Sequence, residues 1–512
     1  MDSRSRAATP PFAATIAGLL TQGARDEPDR TVLVADGHTV TVGELAHHAH
    51  AIAADIVARG IRPGDPVVTM LGNGANHCAL FLGIALSGAL WVPLNPEARG
   101  PSLAHALATT NPVLAFATLD AAARLREAGL NPGVPVVESD GWALPQRAPT
   151  GGITLPDIAP DDVRAILFTS GTTGPPKGVM VTERMLMASA AGTARACDCT
   201  DGDVLLMWEP LHHIGGSQVL VMALVHDVRL VVVERFSASR LWHQVREHGV
   251  SKLHYLGGIL EILLKSPPSP TDRDHSVRLA FGGGCRVEVW RAFRQRFGIP
   301  IREVYGMTEA SSFTTVNVNG QLGSVGTPVP WFEVDLRDGN GAPVPDGTPG
   351  EFTVSTSHPG LLTPGYLNAP DATARLKRGG RLHTGDLGRR DGDGNFQFIG
   401  RVTDSLRRRG ENISAWEVEA ALAANPAIAE TAVVGVAAEI GEHDILCFVA
   451  MRDGHAFDPP ALAQWARACM PRHHVPRYWK NVADFPRTPS LRIRKDALDR
   501  SLDGVADTDT PR

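Results

Sequence analysis

The sequence predicts an α/β protein in two parts: a large N-terminal domain of mostly parallel sheets flanked by helices, and a small α+β domain at the C-terminus. Three observations predict it. From Pro66 onward, short apolar runs alternate with helical patterns, which is the signature of βαβ units. One such run, Ala165-Ile166-Leu167-Phe168, feeds a loop over residues 169–178 that is dense in glycine and hydroxyl side chains. From about Ala415 the chain restarts as a helix, two strands and another helix.

With 512 residues the chain can bury more than one core, and 43% hydrophobic with 20% charged residues is a globular composition. A net charge of -6 gives no reason to expect nucleic acid as a partner. The six cysteines are scattered, and Cys197 and Cys199 lack the spacing of a zinc site, so a reduced, cytoplasmic setting is expected. The first apolar stretch is broken by Thr15 and ended by Gln22, which predicts an amphipathic helix and no signal peptide. The apolar run Cys78 to Leu94 contains Ser87, Gly88 and Pro93. It divides into a core helix and a strand and does not read as a membrane span.

The elements follow in order. Runs 31–35 and 38–41 flank Asp36-Gly37 and predict a hairpin with a type I′ turn. Thr41 and Glu44 have capping-box spacing, and the helix they open stops at Gly60. Its histidines, His47, His48 and His50, are expected on a solvated face, because adjacent residues cannot share one side of a helix. Strands are expected at Val67–Met70, Trp91–Asn95 and Val113–Phe116, with a helix ending near Gly88. A Pro/Gly-rich connection at 148–152 precedes the loop. Beyond it come Val179–Thr182, a helix from about Glu183, strands at 204–207, 228–233 and 253 onward, and a strand from Leu279 that ends in the glycines 282–284. In the C-terminal part a helix is expected over 415–424, strands at 431–434 and 446–449, and a helix over 460–469.

The loop reads Thr169-Ser170-Gly171-Thr172-Thr173-Gly174-Pro175-Pro176-Lys177-Gly178. Glycines bring backbone N–H groups close to an anion, hydroxyls donate further bonds, and Lys177 adds a point charge. This suits a polyphosphate. It is not a Walker A loop, which needs Gly before the lysine and Ser or Thr after it; here Pro176 and Gly178 stand there.

The loop resembles the phosphate loop of the adenylate-forming superfamily, which includes acyl-CoA synthetases, and further motifs extend the likeness over about residues 12–500. The turn around Gly410-Glu411-Asn412 looks most like carnitine/crotonobetaine-type CoA ligases. The resemblance implies a β-subdomain in the large domain. It also implies a boundary between 1–403 and 404–512, with Asp404 as the hinge of a mobile C-terminal lid.

It further implies roles. ATP and Mg²⁺ would be held by Thr169, Ser170, Gly171, Thr172, Thr173, Gly174 and Lys177, with Thr169 and Glu309 on the metal side. In Val304-Tyr305-Gly306-Met307-Thr308-Glu309, Tyr305 would stack on adenine beside Gly306, and Thr308 would touch the α-phosphate. Gly283 and Gly284, in the run Phe281-Gly282-Gly283-Gly284-Cys285, would border adenine and the acyl group. Asp386 in Thr384-Gly385-Asp386 would hold the ribose, and Arg401 would contact the nucleotide. His213 would close over the substrate carboxylate. The pocket would be lined by His213, Gly216, Tyr255, Gly284, Cys285 and Met307 and be modest in size and partly polar.

One departure stands out. Aligned on Pro486, Thr488 and Pro489, the family's catalytic lysine becomes Arg492, and the glycine before it becomes Leu491. Lys495 is an odd offset away, so in an extended segment it faces the other side. The expected activity is an AMP-forming ligase that adenylates a small carboxylate, aryl acids included, and passes it to a thiol such as CoA. The Arg492 segment keeps two alternatives in view: ATP- and nitrite-dependent diazotisation of an aromatic amine, and nucleotide binding without turnover. A homodimer is common in such families.

Overall fold

The computed structural model describes residues 12–35, 37–139, 154–169, 176–402, 405–408, 411–438, 443–470, 474–488 and 493–508. Among these described residues it is an α/β structure with five sheets. The largest has nine strands in the order 327–328, 312–316, 301–307, 279–283, 252–256, 203–207, 228–232, 31–35, 38–41. Its central pairs are parallel; the pairings 301–307/312–316, 312–316/327–328 and 31–35/38–41 are antiparallel. A six-stranded sheet runs 136–138, 114–117, 66–70, 90–93, 163–169, 177–182. One apolar core joins the two sheets through the helices between them. It includes Leu45 and Ile52 from Val42–Ala58, Phe81 from Ala75–Ser87, Leu186 from Glu183–Cys197 and Leu220 from Ile214–Val225.

The helix Ala75–Ser87 is apolar all round because both faces are buried, and it stops where Gly88 turns left-handed at φ 76°. No helix among the described residues is long and apolar enough to cross a membrane. The capping box at Thr41 forms, with both reciprocal hydrogen bonds present. His48, expected on a solvated face, is instead buried, and burial lowers its pKa to about 4. The helix packs closely along Ala75–Ser87, so its buried stripe is wider than one histidine face allows. His47 remains exposed, and no metal-holding cluster of His, Cys, Asp or Glu occurs among the described residues.

The third sheet, strands 333–337, 350–355, 381–390, 377–378 and 396–401, forms the β-subdomain. Past it, a two-stranded ladder over 405–408 and 411–414 leads to a four-stranded sheet of 428–437, 443–451, 478–481 and 506–507. Helices Ala415–Ala423 and Pro459–Cys469 cover that sheet, burying Val418, Leu422 and Ala463 against Val433, Ile445 and Trp479 in a core of their own.

In the central sheet, close backbone approach explains part of the Gly282-Gly283-Gly284 run. A Cβ at Gly282 would fall 1.8 Å from the Tyr255 carbonyl oxygen, and Gly284 has φ 91°. Gly282→Ala is expected to cost about 3 kcal/mol, the upper end of overpacking. A thermal melt reads it as a clear drop in midpoint; an unchanged midpoint would mean that the strands separate freely there.

Candidate active site

The parallel strands of the nine-stranded sheet end together at Met207, Leu256, Gly283 and Met307, and ligands of open α/β sheets bind beyond such ends. On one side of this edge lies the strand Lys177–Thr182. It pairs antiparallel with Val163–Thr169, so both strands that flank the glycine-rich sequence are partners in one sheet, unlike the strand-to-helix setting of a Walker loop. Thr169 and Lys177 are register partners at its base.

A third segment seals this corner. Residues 363–367 lie along Lys177–Thr182, with Met180 N–H donating to Gly365 O at 3.0 Å and Leu367 N–H to Gly178 O at 2.8 Å. That pairing sets Tyr366 between two residues distant in sequence. Its hydroxyl donates to Glu309 Oε1 at 2.7 Å, and Lys177 Nζ lies 5.1 Å from its ring centre. Glu309 sits in the turn Thr308–Ala310 and is 4% exposed. Burial raises its pKa, opposed by the Tyr366 hydrogen bond and by the positive fields of Arg401 and Lys177. A buried carboxylate with one oxygen bonded to a phenol is a fit for a hard cation that takes its other ligands from phosphate and water, as Mg²⁺ does.

A second constellation lies on the β-subdomain side. The Tyr305 hydroxyl donates to Asp386 Oδ2 at 2.9 Å, and Arg401 Nε lies 3.3 Å from Oδ1. Asp386 and Arg401 face each other across two antiparallel strands. Thr384 fixes the bend before Asp386: its hydroxyl donates to Phe352 O at 2.9 Å and accepts from Asp386 N–H at 3.1 Å. The Tyr305 ring stacks on Phe352, with centres 4.4 Å apart. A Cβ at Gly306 would fall 1.7 Å from Ser312 O, so this motif position admits glycine alone.

Between these groups is the turn after Gly283. Glu303 accepts from Gly284 N–H at 2.6 Å and Cys285 N–H at 2.8 Å through one oxygen, and from the Tyr255 hydroxyl at 2.7 Å through the other. Tyr255 is fully buried and supports the turn from behind. Cys285 lies at the turn with its thiol pKa pushed up by burial, which keeps it protonated. Met307 and Thr308 are half-buried at the neighbouring strand end.

His213 caps the helix Ile214–Val225, its ring 4.5 Å from that of His212. Burial pulls His212 well below the usual imidazole pKa, and His213 and His77 add to the effect. Gly216 has no room for a side chain, since a Cβ would meet Pro210 O at 2.4 Å.

Of the residues named from sequence, Ser170, Gly171, Thr172, Thr173, Gly174, Asp404 and Arg492 lie outside the described residues. The structure brings Lys177 to Glu309, and Tyr305 to Asp386 and Arg401. Sequence reasoning missed Tyr366 and Glu303. Glu303 stands two positions before Tyr305, directly before the motif already singled out, and its neighbours were legible there.

The family model described as AMP-binding enzyme matches residues 20–367, and that of the AMP-binding enzyme C-terminal domain matches 417–492. A sulfoacetate–CoA ligase of Cupriavidus necator is 34% identical over 495 residues, covering 94% of this chain and 96% of the relative. A crotonobetaine/carnitine–CoA ligase of Escherichia fergusonii is 31% identical over 480 residues, covering 89% and 92%. Among solved structures, the o-succinylbenzoate–CoA synthetase of Bacillus subtilis in complex with ATP and magnesium aligns with a TM-score of 0.83 at 25% identity, covering 94% of this chain and 98% of that one. The chain belongs to the AMP-binding enzyme family, the AMP-forming acid–thiol ligases of the adenylate-forming superfamily.

Proposed function

We propose that the protein joins a small carboxylic acid to the thiol of CoA at the expense of ATP. The observation that carries this reading is the convergence of Lys177 and Glu309 on Tyr366, three segments that meet beside the strand ends. In the first step a carboxylate oxygen attacks the α-phosphorus of ATP, forming the acyl-adenylate and releasing pyrophosphate. Lys177 holds negative phosphate oxygens, and Glu309 is placed to hold Mg²⁺, which when bound neutralises phosphate charge. Asp386 accepts the ribose hydroxyls, held in place by Tyr305 and Arg401. His213 lies where the substrate carboxylate enters. In the second step the CoA thiol attacks the acyl carbon, and AMP leaves.

CoA is the favoured acceptor because the sulfoacetate and crotonobetaine/carnitine relatives are named CoA ligases. Arg492 keeps a positive charge at the position where the family pattern has lysine. A cytoplasmic setting fits six free cysteines.

The test is pyrophosphate release with ATP and Mg²⁺, in three arms: short-chain and aryl acids with CoA, nitrite with an amino-aryl acid, and no co-substrate. Acid-dependent release followed by a CoA thioester is expected. Release with nitrite and amine alone would replace the ligase with a diazotase. Nucleotide binding with silence in every arm would favour a binding protein.

A further inference from the structure

The side chain of Asn73 reaches from one large sheet to the other at their C-terminal edges. It follows the strand Pro66–Met70 of the six-stranded sheet and precedes the helix Ala75–Ser87. Its amide oxygen accepts from Leu211 N–H at 3.1 Å. Its amide nitrogen donates to Glu209 O at 3.1 Å and to Val233 O at 3.3 Å, with Trp208 O at 3.4 Å sharing one of the two hydrogens. Trp208, Glu209 and Leu211 follow the strand Asp203–Met207, and Val233 follows Val228–Val232. One amide therefore clasps the ends of two neighbouring strands of the nine-stranded sheet.

The turn that presents Asn73 is itself fixed. The Thr69 hydroxyl accepts from Trp91 Nε1 at 2.9 Å and lies 3.0 Å from His77 Nε2, and the other nitrogen of that ring lies 3.1 Å from Gly72 O. Thr69 and His77 are both buried. The clasped segment has no slack either. His213 N–H donates to Pro210 O at 3.0 Å, and a Cβ at Gly216 would meet Pro210 O at 2.4 Å and Glu209 O at 2.7 Å. The segment runs directly into His213, the N-cap of the helix Ile214–Val225. Close-packed backbone passes a displacement on instead of absorbing it.

The strands Val163–Thr169 and Lys177–Thr182, which flank the phosphate-binding sequence, belong to the same sheet as Pro66–Met70. On the ligase reading above, the ATP phosphates lie on the side of this sheet, and the substrate carboxylate meets His213 on the side of the other. We propose that Asn73 is a positioning residue for adenylation: its clasp sets where His213 stands relative to the phosphate-binding side, so that the carboxylate is delivered in line with the α-phosphorus. Misplacing a reacting group by about 1 Å costs on the order of 100-fold in rate.

The test uses two variants. Asn73→Ala removes the clasp. Asn73→Asp has the same shape and keeps the acceptor for Leu211 N–H, but loses both donors. Ser251→Ala, which removes the hydroxyl that donates to Asp203 Oδ1 at 2.6 Å near the opposite ends of these strands, controls for a loss of stability alone. Hydrogen exchange is followed over residues 206–216, and pyrophosphate release is measured with acetate, butanoate and benzoate. Both Asn73 variants should exchange at least about tenfold faster over 208–213 than the parent. Their kcat/KM for the acid should fall by about 10- to 100-fold while KM for ATP stays within about twofold.

Unchanged exchange over 208–213 would overturn the clasp. Faster exchange with kcat/KM for the acid within twofold of the parent would overturn the positioning role, as would an equal fall in Ser251→Ala or an equal loss in KM for ATP. Silence of the parent with all three acids would sink the ligase reading for these acids and the role in adenylation with it; the exchange rates would still decide whether Asn73 holds the segment before His213.

Discussion

Replacing Glu309 with glutamine is expected to lower the rate of pyrophosphate release by about 100- to 1000-fold, the usual loss when a preorganised electrostatic group is removed from a reacting phosphate or acyl centre. Glutamine has the same shape, and its carbonyl oxygen still accepts the Tyr366 hydroxyl that now donates to Oε1 at 2.7 Å. What disappears is the negative charge. Stability should move the other way. Burial raises the carboxyl's pKa above its unfolded value, so the native protein holds this proton longer than the unfolded chain as pH rises. Ionisation of the native carboxyl therefore costs stability above the ordinary carboxylate range, and glutamine removes that cost. At pH 8 the variant should melt at the same temperature as the parent or higher while turning over far more slowly. A rate within threefold of the parent would remove Glu309 from the reaction. A large fall in melting temperature would make it a structural group instead.

The fold was largely legible because the elements that build it are local. The alternation from Pro66, the capping box at Thr41 and the left-handed glycine stops at Gly60 and Gly88 each depend on residues within a few positions, and the structure has all of them. The His47–His50 stretch was misjudged because burial is set by tertiary packing, which no local pattern reveals; His48 is buried while His47 stays in water. The same reasoning divides the site. Lys177, Tyr305, Glu309 and Asp386 stand in short strings whose composition is chemical. Tyr366 stands in Thr363-Pro364-Gly365-Tyr366, an ordinary turn in sequence, and gains its place only when residues 363–367 add to the strand Lys177–Thr182.

Glu303→Gln is expected to change how stability depends on pH. The carboxyl is buried, and desolvation raises its pKa to about 7, against the hydrogen bonds from Tyr255, Cys285 and Gly284 that favour the charged form. The titratable groups around it are Tyr255 and Cys285, both held protonated, with Glu261, Glu288 and Arg286 beyond the thiol. Between pH 4.5 and 7 the unfolded chain has lost this proton while the native protein keeps it. Stability conferred by the protonated group is therefore complete at pH 4.5 and is lost as pH rises to 7. The size is about 3 kcal/mol, from a shift of roughly two and a half units at 1.36 kcal/mol each. Glutamine cannot titrate, yet its carbonyl can still accept from Gly284 and Cys285, and its amide can donate to the Tyr255 oxygen. The variant should melt with little dependence on pH over this window and overtake the parent as pH approaches 8. Because the clamp fixes the turn that the ligase reading puts beside the acid, the parent's KM for its acid should also vary between pH 6 and 8 while that of the variant stays flat. A melting-temperature difference that holds constant from pH 5 to 8 would mean that the carboxyl is ionised throughout, in which case three hydrogen bonds outweigh its burial.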